Sequence, residues 1–264
     1  MREICPNDTA RLTQKLRERL QEMTAASQAL SSALAGNKKA ADYLAILDRA
    51  ICAQLHLVRK LELDGRLNSP DELRLERTLV DLVELSRSTT GRADALIRPL
   101  LDIKVEYSAP MAALPAMVDR NALEEMLLGF ISNSVRAIGR SGSIRLELEQ
   151  VEDRAVFTVS DTGGGMDPDV LAGLFDPLEE PETPARGLLL ARRIAELHGG
   201  TLVAGSTDTG GARLAVSIPI VERLGGAIRS PSIPVENSGG WDPALVALSD
   251  FLPAEAFLPD RGRK

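Results

Sequence analysis

The sequence is poor in aromatic side chains, in cysteine and in histidine. Only 3% of its 264 residues are aromatic, and it has two cysteines and two histidines. So few aromatic rings exclude the base-stacking surfaces of proteins that bind single-stranded nucleic acid. The cysteines, Cys5 and Cys52, have the spacing neither of a zinc site nor of a disulfide framework. Two separate thiols favour a reducing compartment, the cytoplasm.

Positive charge and long apolar runs are also in short supply. The formal net charge is -7, whereas nucleic acids and anionic membranes attract clusters of Lys and Arg, so we expect neither as a partner. No apolar run reaches the roughly 20 residues that span a bilayer, and the first residues do not resemble a signal peptide, so no membrane insertion is expected. What remains, 44% hydrophobic and 26% charged residues, is the composition of a globular protein.

Residues 1–66 predict a helical hairpin. Its helices are expected at about Thr9 to Leu34 and Ala40 to Leu63, because apolar residues recur there at intervals of three and four. In the first helix these positions are Leu16, Leu20, Met23, Ser27, Leu30 and Leu34; in the second they are Leu44, Leu47, Ile51, Leu55 and Val58. A hairpin of two such helices cannot bury both its apolar faces. We therefore predict a homodimer in which two hairpins form a four-helix bundle.

The stretch GRLNSPDEL, beginning at Gly65, interrupts this pattern and predicts a domain boundary. Ser69 can cap a new helix that has Pro70 at its first position. Beyond it, residues 70–221 mix helical patterns with alternating strand patterns such as SIRLELEQ and AVFTVSD. The predicted fold class is therefore α+β, a helical hairpin followed by an α/β sandwich.

Residues 222–264 predict a linker and a C-terminal tail. The linker is rich in Gly, Pro and Ser. The last residues again show apolar spacing at Leu245, Leu248 and Leu252. Two interpretations remain open for them, a short docking helix and a loosely ordered tail.

The stretch SDTGGGM contains the residues most indicative of a ligand-binding site. A carboxylate at the end of a buried strand, Asp161, can accept a hydrogen bond from an amino group on a planar ring. The glycines that follow, Gly163 to Gly165, let such a ring lie against the main chain. This pattern is typical of a purine pocket, although a glycine-rich turn without a nucleotide would look the same.

Three further motifs accompany it in order: MLLGFISNSVRAI upstream, and LFDP and RGLLLARRIAELHGGTL downstream. Because the four motifs occur together and in this order, residues from about Leu75 to Ile220 resemble the ATP-binding domain of sensor histidine kinases, members of the GHKL superfamily. The resemblance implies ATP or ADP and Mg²⁺ as cofactors. It also implies a role in two-component signalling, with a response regulator or a partner kinase as the second protein.

The resemblance assigns roles residue by residue. Asn133 matches the asparagine that holds Mg²⁺, and Arg136 stands where a nearby lysine contacts phosphate. Asp161 matches the aspartate that accepts from the adenine amino group, with Gly163 and Gly165 lining the base. The remaining matches are Phe175, which precedes the nucleotide lid, and Gly187 with Leu188, which belong to the second glycine box and its phosphate-binding helix start.

The family's phosphoacceptor histidine is not where the resemblance places it. In these kinases the first helix carries His-Glu-Leu-Arg-Thr-Pro-Leu, and the corresponding run QALSSAL puts Gln28 at the histidine position. An amide nitrogen is no nucleophile at neutral pH, so autophosphorylation is not expected there. His198 is a family feature that a helix dipole explains, and His56 is interpreted as a structural histidine rather than a displaced acceptor.

The ATP site departs from the family pattern as well. The second glycine box has Ala185 and Leu189 at glycine positions, and the lid is short and acidic. If Ala185 requires φ > 0, the cost is about 1–2 kcal/mol. We therefore expect weak nucleotide binding, with the adenine end retained.

Three functions are compatible with these features. The first is a histidine-kinase-like ATP-binding protein that does not autophosphorylate. The second is an active kinase that phosphorylates a partner in trans, for which Glu124 or Glu125 would have to serve as the base. The third is a phosphorelay adaptor with a vestigial ATP site.

Overall fold

The computed structural model describes residues 6–68, 75–166, 185–220 and 240–258. These residues form two compact units, which are described separately below. One unit contains residues 6–68 together with residues 240–258. The other contains residues 75–220, apart from the gap between 166 and 185.

The first unit is built on a helical hairpin. Helix α1 (Pro6–Ala33) and helix α2 (Lys38–Asn68) are joined by a turn in which Gly36 has φ of +88°. Asn37 caps α2, because its Oδ1 accepts from Ala40 N at 3.2 Å. Helix α2 continues to Asn68, past its expected end near Leu63, because one glycine inside a helix, Gly65, costs only ~1 kcal/mol.

The expected single seam on α1 is divided between two faces. Leu20 and Ser27 are buried, but Leu16, Met23, Leu30 and Leu34 are exposed. Across the hairpin Ser27 Oγ donates to Asp48 Oδ1 at 2.5 Å. On α2, Leu44, Asp48, Ile51, Leu55 and Val58 are buried on one face, whereas Leu47 is exposed. The apolar periodicity therefore marked one buried and one open face of the hairpin rather than a single contact.

The C-terminal residues 240–258 pack onto this hairpin. They form a short helix α6 (Pro243–Ala247) and a 3₁₀ turn (Ala254–Phe257), and both contact α2. Asp242 caps α6 by accepting from Ala244 N at 2.7 Å. Of the two interpretations of this region, the structure has the docking helix, and Trp241, Leu245, Leu248 and Leu252 are all buried.

The second unit is the α+β domain that the sequence predicts. Its main sheet has the order β2-β4-β5-β7-β6, in which β2 and β4 are parallel and the other pairs antiparallel. The strands are β2 (Asp102–Ser108), β4 (Ser141–Val151), β5 (Arg154–Asp161), β6 (Thr201–Ser206) and β7 (Ala212–Pro219). Alternate residues, such as Ile144, Leu146 and Leu148 of β4, are buried, as expected for a sheet covered by helices.

Three helices pack against this sheet: α3 (Leu82–Ile97), α4 (Arg120–Ile138) and α5 (Ala185–Leu197). A second, two-stranded sheet pairs β1 (Arg77–Asp81) with β3 (Pro115–Asp119). The sequence had not indicated it. Each of its strands ends in an aspartate that caps the next helix: Asp81 accepts from Val83 N and Asp119 from Ala122 N, both at 3.0 Å.

The helix start expected at Ser69 and Pro70 lies outside the described residues, and residues 77–81, expected to be helical, form a strand. Among the described helices, none combines the length and the apolar character needed to cross a bilayer.

Candidate functional site

Asp161 lies at the end of β5, where its carboxylate accepts three hydrogen bonds. Oδ1 accepts from Gly163 N at 2.9 Å and from Ala212 N at 3.1 Å, and Oδ2 accepts from Ser134 Oγ at 2.7 Å. The side chain is buried, with 6% exposure. An ionised carboxylate offers about four acceptor positions, so one remains for a ligand donor. The arrangement presents a pre-oriented acceptor to a group such as an amino group.

The three glycines after Asp161 differ in the space available around them. A Cβ on Gly163 would lie 2.8 Å from the carbonyl carbon of Ala137, near the end of α4, and one on Gly165 would lie 2.7 Å from Gly210 O. Gly165 also has φ of +80°. Of these three glycines, Gly164 alone has no described atom within 4 Å of an added Cβ. Gly163 and Gly165 are therefore required by close main-chain packing, and Gly164 faces open space.

Ser134, Gly211 and Ala212 complete the surroundings of Asp161, and the sequence had not singled them out. A Cβ on Gly211 would come within 1.7 Å of Asp161 O. The residue just before β7 must therefore be a glycine, because any side chain there would clash with the main chain of Asp161. The neighbouring turn is closed by Thr207, whose Oγ1 accepts from Gly211 N at 2.9 Å. The adjacent glycines at 210 and 211 were a signal for this turn, but nothing in the sequence connects them to Asp161.

Asn133 on α4, the predicted magnesium ligand, lies near Gly187 of the second glycine box. Asn133 is half-buried and adjacent to Ser134, and an added Cβ on Gly187 would lie 4.0 Å from Asn133 Nδ2. Arg136, one helical turn further along α4, is exposed. The side chain of Leu188 is buried in the domain. Gly187 and Asn133 thus lie close together, and Leu188 contributes its side chain to the core.

A magnesium ion would fit this donor set only together with a nucleotide. In the described part of the chain, no three His, Cys, Asp or Glu side chains form a metal cluster. Mg²⁺ prefers oxygen ligands and is commonly held by one protein group, substrate phosphates and water. The side-chain oxygen of Asn133 can provide that single protein ligand.

The two candidate bases on α4 differ in their surroundings. Glu124 forms an ion pair with Arg92 of α3, so its carboxylate is engaged in joining two helices. Glu125 is 4% exposed and lies two helical turns before Asn133. Which of the two could serve as a base stays a prediction.

His198 has a structural role in the second unit. Its Nε2 accepts from Asp119 N at 3.0 Å, and its Nδ1 lies 2.7 Å from Ile194 O, so the proton is on Nδ1 and the ring is neutral. Burial lowers the pKa of His198, and the nearby Arg77 lowers it further, while the hydrogen bond to Ile194 and the charge of Asp119 oppose the shift. The neutral ring joins the end of α5 to β3, which is a different explanation from the helix dipole offered by the sequence.

In the hairpin unit Gln28 is exposed on α1, as its position after Ser27 predicts. His56 is buried on α2, with 3% exposure. Phe175 and the acidic lid lie outside the described residues. Ala185 and Leu189 both lie within α5, where helical φ angles are negative, so the strain considered for Ala185 does not arise.

Residues 118–222 match the family model described as "Histidine kinase-, DNA gyrase B-, and HSP90-like ATPase". This range begins at the end of β3 and includes α4 and Asp161.

Curated relatives are sensor kinases. The sensor histidine kinase ZraS of Salmonella typhimurium is 33% identical over 125 residues, which are 46% of this chain and 27% of ZraS. The circadian input-output histidine kinase CikA of Synechococcus elongatus is 26% identical over 259 residues, which are 81% of this chain and 34% of CikA. The chain thus spans about a quarter to a third of the length of these relatives.

Solved structures share the fold at lower sequence identity. Full-length ShkA in complex with AMPPNP aligns with a TM-score of 0.65 at 22% identity and covers 82% of this chain and 46% of ShkA. The catalytic domain of the histidine kinase ThkA aligns with a TM-score of 0.50 at 23% identity and covers 55% of this chain and 96% of that domain. These solved structures therefore share the fold of this chain.

Proposed function

Because residues 118–222 form a domain of the histidine kinase-, DNA gyrase B- and HSP90-like ATPase family, we propose that this chain is a nucleotide-binding protein of two-component signalling that does not phosphorylate itself on α1. The domain provides a site for ADP or ATP. The proposal assigns it a sensing or scaffolding role toward a second protein.

One observation carries this proposal, the three hydrogen bonds that hold the carboxylate of Asp161. Because Ser134 Oγ and the amides of Gly163 and Ala212 already occupy three acceptor positions, the side chain cannot rotate without losing them. The remaining acceptor position selects a ligand with a donor, as the adenine amino group is. A ring with a carbonyl oxygen at that position would face the carboxylate with repulsion.

The phosphate end consists of Asn133, Arg136 and the main chain at Gly187. Phosphates would lie against the N-terminal region of α5, where unpaired N–H groups and the helix dipole favour anions. Mg²⁺, held by Asn133 and by the phosphates, would neutralise part of their charge. Leucine and alanine replace glycines of this box, so we propose weaker binding of nucleotide here than in an intact glycine box.

The absence of autophosphorylation rests on the sequence of α1. Gln28 stands at the acceptor position in the run QALSSAL. A second register is possible, because QKLRERL has Leu, Arg and Leu where His-Glu-Leu-Arg-Thr-Pro-Leu has them, and it places Gln14 at the histidine position. Both glutamines are exposed on α1. Either register provides an amide where a nucleophilic imidazole would be required.

We propose a homodimer formed through the open face of the hairpin. This open face is a set of exposed apolar residues: Leu12, Leu16, Met23 and Leu30 of α1, Leu34 just after α1, and Tyr43, Ile46, Leu47, Leu57 and Leu61 of α2. So many exposed apolar side chains favour an interaction surface. A second hairpin with the same face would complete a four-helix bundle. A response regulator or a partner kinase in the cytoplasm is the proposed second protein.

Isothermal titration of the full-length chain with ADP and Mg²⁺ tests the proposal. We expect binding by the wild type and none by Asp161→Asn. Asparagine can keep its oxygen toward Gly163 N and Ala212 N, whereas its NH₂ group would replace the acceptor Oδ2 with a donor. The variant should therefore fold but reject an amino group. Absence of binding by the wild type at millimolar ADP would leave the phosphorelay adaptor with a vestigial site.

Radiolabelled ATP separates the remaining alternative, phosphorylation of a partner in trans. The chain is incubated with γ-labelled ATP, Mg²⁺ and candidate response regulators or kinases. We expect no label on this chain or on the partner. Label on a partner that disappears with Glu125→Gln but persists with Glu124→Gln would establish the trans kinase and Glu125 as its base.

A further inference from the structure

Helix α2 has a second buried stripe that the hairpin itself does not require. Leu44, Asp48, Ile51, Leu55 and Val58 are buried and recur on one face of α2, the face on which Asp48 accepts from Ser27 of α1. One position further round the helix lie Ala45, Arg49, Cys52 and His56, which we call the covered stripe. Ala45, Cys52 and His56 are 1%, 0% and 3% exposed, whereas Tyr43 on the open face is 73% exposed. A second element must therefore bury the covered stripe.

That element is residues 240–258, which we call the C-terminal segment. Its helix α6 and its 3₁₀ turn both pack on α2. Arg49 marks the contact, because its Nε donates to Ser249 O at 3.1 Å and its Nη2 donates to Asp250 O at 3.3 Å. These bonds go to main-chain carbonyls just after α6. Arg49 therefore recognises the backbone shape of the segment rather than a particular side chain.

The segment also contacts α1 through an aromatic anchor. Trp241, the one tryptophan of the chain, is buried and its Nε1 donates to Thr24 Oγ1 at 3.3 Å. Thr24 in turn donates to Leu20 O at 2.9 Å, so its hydroxyl is oriented to accept from the indole. The segment is thus held at two points, Trp241 on α1 and Arg49 on α2.

The segment depends on the hairpin for its own structure. Its helix α6 has five residues and its 3₁₀ turn has four, and helices this short are not stable alone in water. Docking and ordering of the segment are therefore coupled, as for a peptide that folds on binding. Since the segment is part of the same chain, its effective concentration at the hairpin stays high even when each contact is weak.

We propose that the C-terminal segment is a reversibly docked ligand of the hairpin, bound to its own chain, that covers the stripe of α2 containing Cys52 and His56. Detachment exposes these side chains together with Ala45. A protein that binds this stripe has to displace the segment. It would need the same two features, an aromatic side chain for Thr24 and main-chain carbonyls for Arg49.

Native-state labelling of Cys52 measures this detachment. The full-length chain carries Cys5→Ser so that Cys52 is its single thiol, and a maleimide reagent is added at increasing low concentrations of urea. We expect slow labelling whose rate does not change at low urea, because local detachment exposes little surface. Arg49→Ala should raise this rate at least tenfold. Gln54→Ala, at an exposed position of α2, is the matched control and should leave it unchanged.

Fluorescence of Trp241 provides a second measure in the unlabelled full-length chain. We expect Arg49→Ala to shift its emission to longer wavelength and to increase quenching by iodide while the helical circular dichroism signal is retained. If Arg49→Ala does not fold, Trp241→Phe replaces it in the labelling experiment, since phenylalanine fills the same pocket but cannot donate to Thr24 Oγ1. A rise in Cys52 labelling with retained helicity would then support the proposal.

Three results would overturn it. Equal labelling rates for the wild type and the folded variant, or labelling only at urea concentrations that remove the helical signal, would make the segment a permanent part of the hairpin core. A labelling rate that falls as protein concentration rises would mean that the segment docks on a second copy. Neither experiment uses a nucleotide, so these outcomes are independent of the proposed ATP site.

Discussion

Ser134 Oγ donates a hydrogen bond of 2.7 Å to Asp161 Oδ2, and so joins helix α4 to the end of strand β5. Both side chains are buried. Asn133, the residue before Ser134 on α4, lies near Gly187 at the proposed phosphate end, so the same helix carries groups for both ends of the candidate site. The orientation of the carboxylate thus depends in part on one hydroxyl group of α4.

Replacement of Ser134 by alanine should weaken ADP binding while leaving the fold intact. A hydrogen bond to a charged group contributes about 1.5–3 kcal/mol to folding stability, and its loss leaves the carboxylate less firmly oriented, so we expect a measurable fall in ADP affinity. Calorimetric titration measures it. Ser132→Ala is the matched control, since Ser132 is also buried on α4 but makes no hydrogen bond to Asp161 in the described structure. Equal losses in both variants would contradict the assigned role of Ser134.

Alanine substitutions should distinguish the three glycines after Asp161. Gly163→Ala introduces a methyl group 2.8 Å from the main chain of Ala137 and should destabilise the domain by about 1–3 kcal/mol, the usual cost of overpacking. Gly164→Ala meets nothing within 4 Å and should leave the melting temperature almost unchanged. Thermal unfolding compares the two. If Gly164→Ala also retains stability but loses ADP binding, the nucleotide base lies against Gly164.

Acidification should destabilise the domain through His198. Burial lowers the pKa of His198 in the folded chain, whereas in the unfolded chain it is near 6.5. As the pH falls below about 6.5, the unfolded chain therefore takes up this proton first, and the free energy of unfolding decreases. Above that pH both states are neutral and the stabilisation is complete. Urea unfolding at several pH values between pH 8 and about pH 5 measures this decrease in the free energy of unfolding.

Two variants check that His198 causes this dependence. His198→Gln can still accept from Asp119 N and should remove the pH dependence in this window while retaining much of the stability. His198→Leu leaves Asp119 N without its acceptor and should cost about 1–3 kcal/mol at every pH. A wild-type slope that persists in His198→Gln would assign the effect to another group.

A charge on the open face of the hairpin should dissociate the proposed dimer. Leu30→Glu places a carboxylate among the exposed apolar residues of α1, where burial against a second copy would be costly. Light scattering after size exclusion should then give the mass of a monomer. Gln21→Glu, at an exposed position of α1 outside the apolar set, is the control. A wild-type monomer would mean that the open face serves another partner.

The local pattern of the α/β unit was predictable because its signals are local. Alternating apolar residues predicted β4 and β5. The pair β1 and β3 was missed, because each strand has only five residues and their pairing depends on residues about 40 positions apart. The sequence also did not show that the apolar residues of α1 divide into a buried and an exposed set. Spacing by three and four does not reveal which neighbour a helix face contacts.

By itself the sequence determined the residue types of the candidate site: a carboxylate after a buried strand, three glycines, and an asparagine on a helix. Tertiary structure decided which groups orient that carboxylate, because Ser134 and Ala212 are 27 and 51 residues away from Asp161 and meet it only through packing of α4 and β7 onto β5. It also decided where the C-terminal segment lies. Apolar spacing shows that a segment buries one side, but the surface that buries it is chosen by contacts between distant residues such as Trp241 and Thr24.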